Sequence, residues 1–256
     1  MKSIIFSVLF LAVSFLTGTA QVVNSGVEKE VFKNRIKLVD GFMTRFNQGG
    51  DLIPLFDAQL LGGKNSAEYA LAKEFADKAS KSGVKLNYSD TLWFATAHCS
   101  GKLKNKTVEF TLILNVEKRA KDMYKWVIAR AEGDIFRLTP AKNDGKAMIM
   151  PDDHETGFQV LGKITANSET EVVNYAQKTF EVDQTSVFFA FVNQGLLDIE
   201  AVTDLQFVFF QVPGWEFSIK EFDRMDKNSG WLITSFKKIS DRDKNTFLKN
   251  VYSKKN

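Results

Sequence analysis

Three runs near the middle of the chain constrain its fold most: "TLWFATAHCSG", "KTVEFTLILNVEK" and "MYKWVIARAEGDIFRL". Each is rich in Val, Ile, Phe and Trp, which suit a pleated, half-buried surface, and turn-like "GKLKNK" and "KRAKD" separate them. The pattern predicts an antiparallel meander. In the middle run Val108, Phe110, Leu112, Leu114 and Val116 share one face, while Glu109, Thr111 and Asn115 share the other and Ile113 is the exception. One face of the sheet should pack on helices and the other should be mostly wet.

Helical periodicity precedes these strands. Val31, Ile36, Val39, Phe42, Met43 and Phe46 predict an amphipathic helix over about Val27 to Asn47, ended by Gly49-Gly50. Leu71, Phe75 and Ala79 predict a second over about Ala67 to Lys81, with Asn65 and Glu68 as a capping box and Gly83 as the stop. The order then repeats. Asn143, Asp144, Gly145 and Pro151, with Pro140 just ahead, give the segment 141–152 the composition of a linker. Helices are expected at about 153–164, 169–180 and 184–194, although "SVFFAFV" alone also suits a buried strand. Strands follow at about 199–212, 215–224 and 231–239, and Ser240 caps a closing helix. The fold class is α+β: helices packed on curved antiparallel meander sheets, in an N-terminal half (21–140) and a C-terminal half (153–256) of similar element order.

The first residues predict export. Lys2, the apolar stretch Ile4 to Leu16 and the small residues Gly18-Thr19-Ala20 have the layout of a signal peptide cleaved before Gln21. Its loss removes Lys2 and no acid, so the formal charge falls from +3 to +2. A near-neutral chain without a basic stripe argues against nucleic-acid binding. Cys99 is the only cysteine, so no intramolecular disulfide forms, and a bacterial periplasmic or secreted protein fits better than a eukaryotic one. The mature chain is expected to have no transmembrane segment.

The candidate sites are few. His98-Cys99 suggests a thiol nucleophile, but adjacent strand residues point to opposite faces, which keeps His98 from serving as its base. "PDDHE" (Pro151 to Glu155) reads as acids at a helix start rather than a metal site. Glu216, Glu221, Asp223 and Asp226 lie in the strand region without forming an evident pair. No P-loop, nucleophile elbow, dinucleotide fingerprint or zinc motif occurs. No catalytic residue, metal ligand or cofactor is assigned. The ligand-binding candidates are Trp215 and Trp231, each in a Gly-Trp pair. Trp215, Phe217 and Ile219 share a face, and so do Trp231 and Ile233, opposite Leu232, Thr234 and Phe236. An unbroken strand from Leu205 to Arg224 would span about 65 Å, so Pro213-Gly214 must mark a bend or a looped hairpin.

The order of helices and strands, with "GFMTRFNQG" (Gly41 to Gly49) ending the first helix, resembles the nuclear transport factor 2-like and cystatin-like α+β proteins secreted by bacteria. The resemblance implies helices lying in the hollow of a curved sheet. That superfamily hosts enzymes, binding modules and assembly domains alike, and no catalytic residue is carried over from it. The functional expectation is a non-catalytic binding or structural module of a bacterial cell envelope, with an envelope protein or a glycan as partner. The alternative is a hydrolase acting on glycan or peptide in a concave sheet pocket.

Overall fold

A computed structural model describes residues 39–118, 124–138, 175–177, 179–225 and 228–252. It is an α+β structure built on one six-stranded, fully antiparallel sheet. The strands are β1 (Trp93–Leu103), β2 (Lys106–Lys118), β3 (Tyr124–Glu132), β4 (Leu197–Phe209), β5 (Trp215–Phe222) and β6 (Gly230–Lys238), in the spatial order β3-β2-β1-β4-β5-β6. The helices are α1 (39–48), α2 (Ala58–Leu61), α3 (Ala67–Ser82), α4 (Gln184–Asn193) and α5 (Asp241–Tyr252). Strands expected in two halves thus lie in one sheet, and the seam between them is the long β1–β4 ladder from Trp93↔Phe209 to Leu103↔Leu197. The expected linker, the helix at 153–164 and most of that at 169–180 fall outside the described residues. At the end of the latter, residues 176, 177, 179 and 180 are not helical.

The local rules explain most element ends. α3 stops where Gly83 turns left-handed at φ 62°. Its N-cap is Ser66, whose hydroxyl accepts from Tyr69 N–H at 2.9 Å. That corrects the expected Asn65–Glu68 box by one residue. α4 is a helix and not a strand because Asp183 accepts from the amides of Thr185 and Ser186. Ser240 accepts from Asp243 N–H at 3.1 Å at the start of α5. Between β4 and β5, Trp215 N–H donates to Val212 O at 3.1 Å with Gly214 at φ 78°. Pro213-Gly214 therefore forms the type II turn of a looped hairpin.

The two faces of the sheet differ. On one, α1 and α3 bring Val39, Phe42, Phe46 and Phe75 onto Phe209, Trp215, Phe217 and Ile219. Val108, Phe110, Leu112, Leu114 and Val116 all join this cluster, as their alternation predicts. α4 closes its far end, with Phe188 against Phe110 and Phe136. On the other face α5 packs Phe247 and Val251 with Phe94, Val208 and Phe210. Ile113 breaks the alternation because it belongs to this second cluster. Phe236 departs from the expected facing. A bulge at Thr234, where Ser218 pairs with Ser235 but Ile219 with Ile233, brings Phe236 to the helix side with Trp231 and Ile233. There it meets Phe56 at a ring distance of 5.0 Å.

Candidate functional site

The side of the sheet that carries the helices holds an apolar cavity of about 170 Å³. Strand pairing assembles it. Trp93 opens β1, Phe207 lies in the neighbouring β4, and Val116 on β2 is in register with Trp126 on β3. Alternation along β3 places Tyr124 and Trp126 on one face. Val39 of α1 and Tyr88, from the connection between α3 and β1, complete the lining. The rings touch: Trp93 lies 4.9 Å from Trp126 at 70°, 5.5 Å from Tyr88 and 5.8 Å from Phe207. Trp93 Nε1 donates to Tyr88 O at 3.2 Å, which fixes the indole. Tyr88 Oη is shut off from water and has no hydrogen-bond partner, a deficit of about 1–3 kcal/mol. Tyr124, 40% exposed, stands at the rim with Lys125, whose ammonium pairs with Glu117 at 3.5 Å. Such a pocket suits a flat, largely apolar surface on a small group.

The opposite face carries an open groove of about 580 Å³ across β2, β1 and β4. His98, Glu109, Thr111, Glu132, Asp134 and Asp204 line it. His98 Nδ1 is 3.0 Å from Thr111 Oγ1. Three of the carboxylates are answered by bases: Asp204 by Lys220 at 2.5 Å, Glu132 by Arg130 at 2.8 Å and Asp134 by Arg137 at 3.2 Å. The groove is polar and open, with His98 and Glu109 exposed. Cys99 borders the groove but packs on the other side of β1. It is buried, and burial pushes its thiol up to about 11, far from the thiolate a nucleophile requires.

Trp215 and Trp231 are 3% and 2% exposed and line neither cavity. Trp215 sits edge-on to Phe75 at 5.4 Å, and Trp231 lies against Phe207 at 5.0 Å. Trp231 Nε1 has no hydrogen-bond partner. Glu216 pairs with Lys237 at 3.1 Å. "PDDHE" and Asp226 lie outside the described residues. The tryptophans that meet at the cavity, Trp93 and Trp126, were not singled out from the sequence. The signal was available in "MYKWVIAR", where Tyr124 and Trp126 alternate onto the face that Val116 shares.

Among the described residues no three His, Cys, Asp or Glu gather as a metal site, and no helix is long and apolar enough to cross a membrane. No family model, no curated protein and no solved structure matches the chain.

Proposed function

We propose that this protein is a non-catalytic binding module of a bacterial cell envelope, secreted or periplasmic after cleavage before Gln21. It holds a glycan ring in the pocket formed by Tyr88, Trp93, Trp126 and Phe207. The observation that carries the reading is that pocket itself, an aromatic-walled cavity beside a rim tyrosine, with the charged Lys125 at its edge. Aromatic faces match the apolar C–H face of a sugar, and the hydroxyl edge stays near solvent. A curved sheet with two halves of similar element order, and kinship with the nuclear transport factor 2-like and cystatin-like proteins, belong to the same proposal. The packing of α1 and α3 on one face of an antiparallel sheet supports it.

The second reading, a hydrolase, draws on the carboxylates and His98 in the opposite groove. The exposure of His98 and Glu109 and the ion pairs on the other carboxylates favour the binding module over it. The test is a tryptophan-fluorescence titration with soluble cell-wall glycan fragments. Saturable quenching is expected in the wild type, weakened about tenfold or more in W126A, since an aromatic anchor contributes about 2 kcal/mol. Equal binding by W126A refutes the pocket. Cleaved glycan in the reaction mixture, lost in E109Q, would install the hydrolase reading instead.

A further inference from the structure

β4 occupies an interior place in the sheet, yet half of it has a neighbour on one side only. Its ladder with β1 runs the full length, Leu197 to Phe209. Its ladder with β5 covers Gln206 to Phe209 alone. From Leu197 to Leu205 the second edge has no strand partner among the described residues. Residues 198–203 are exposed without a break. An interior strand would ordinarily have alternate residues covered.

Two features hold this edge open. β4 carries extra residues against β1 at Glu200 and Thr203, where the pairing skips. Such bulges bend a strand and increase its twist. The chain beyond β5 is drawn the other way. Arg224 Nη1 grips Asp57 Oδ1 at 2.7 Å, and Asn228 Nδ2 donates to Phe56 O at 2.9 Å. The residues that could have prolonged β5 along β4 are thus anchored on the helix side.

The side chains along the edge are sorted by face. Asp198, Ala201 and Asp204 stand opposite Lys102, Ser100 and His98 on the polar face. Ile199 and Val202 stand opposite Gly101 and Cys99 on the other face, 44% and 39% exposed. Lys102, Lys220, Arg130 and Arg137 each answer one carboxylate, namely Glu200, Asp204, Glu132 and Asp134. On β4 itself the three acids Asp198, Glu200 and Asp204 are met by two lysines, Lys102 and Lys220, so this edge keeps one negative charge in surplus. We infer that the edge from Asp198 to Asp204 is a docking strand for an extended segment of a partner protein. That segment alternates basic with apolar residues and adds to β4 by main-chain pairing. Main-chain bonds supply the attachment, the acids select basic side chains, and Ile199 and Val202 receive the apolar ones. A second copy of this chain fits poorly, because its own acids would face these. This edge is separate from the aromatic pocket, and either site can fail without the other.

The probe is a short blocked peptide of alternating lysine and valine, with two controls: glutamate in place of lysine, and N-methylation along one backbone edge. Binding is read by amide hydrogen exchange. In the free protein the amides of 198–203 should exchange fast where they do not face β1, and the lysine peptide should slow them. The glutamate and N-methylated peptides should bind about tenfold more weakly or not at all. D198K with E200K should reverse the preference between the lysine and glutamate peptides. Should that variant fail to fold, I199T with V202T serves in its place and should weaken the lysine peptide several-fold. Slow exchange at 198–203 without peptide, protection elsewhere, no binding, equal binding of the controls, or unchanged binding by the folded variant each overturns the inference.

Discussion

At the scale of single residues, Trp231 shows how far side-chain alternation reaches. Its spacing with Ile233 places it on a core-facing stripe, and the ring is buried against Phe207. What alternation does not show is that its Nε1 lacks a partner. The two facts predict different costs. W231A removes a large buried ring and should destabilise the protein by about 3–5 kcal/mol in chemical denaturation. W231F keeps most of the ring and deletes the unpartnered donor, so its cost should be clearly smaller. Equal losses would mean that the indole N–H is satisfied in solution. Trp93 and Trp126 were harder to find from sequence, because a cavity depends on which strands become neighbours. Trp93 faces Phe207 only through the β1–β4 ladder, between residues more than a hundred positions apart.

Elements were legible where their own residues decide them. α4 follows from Asp183 and Gly195, and the Pro213-Gly214 turn from its two residues. Shifts imposed by a neighbour were not legible. The bulge at Thr234 answers the pairing of β6 with β5, and Ile113 is drawn to the second core by α5. The contact that ties the early helical segment to the β5–β6 hairpin was likewise hidden, since Asp57 and Arg224 carry no local pattern. Arg224 meets both carboxylate oxygens of Asp57, at 2.7 and 3.3 Å, and Asp57 also caps α2 through Gln59 N–H. The hydrogen bond from Arg224 is the main reason the Asp57 carboxyl titrates below its ordinary 3.8. A depressed folded-state pKa stabilises the fold above the unfolded value, and that contribution is lost as pH falls through the folded value. R224M should therefore cost about 1.5–3 kcal/mol near neutrality, the scale of hydrogen bonds to a charged group. The gap from wild type should stay level down to about pH 4 and close below it. A gap that widens on acidification would show that the pair does not act this way.

For the whole molecule, the antiparallel pairing and the helix-bearing face could be read in the chain, but the joining of the strands into one sheet could not. Each set of three strands satisfies its own sequence pattern, and nothing local states that β1 and β4 pair along eleven residues of β1. The core crosses that seam, with Phe42 of α1 against Phe209 and Phe217. Separate expression of residues 21–140 and 153–256 should accordingly yield pieces that lack cooperative unfolding transitions, while the chain from residue 21 to residue 256 unfolds as one unit. Two independently cooperative fragments would contradict a shared core. The proposed glycan site is one pocket, and the four tryptophans report on it separately. In a nitrogen-15 spectrum of the indole N–H groups, soluble glycan fragments should shift the signals of Trp93 and Trp126 and leave those of Trp215 and Trp231 in place. Shifts at Trp215 and Trp231, or none at all under saturating glycan, would contradict the pocket as the binding site.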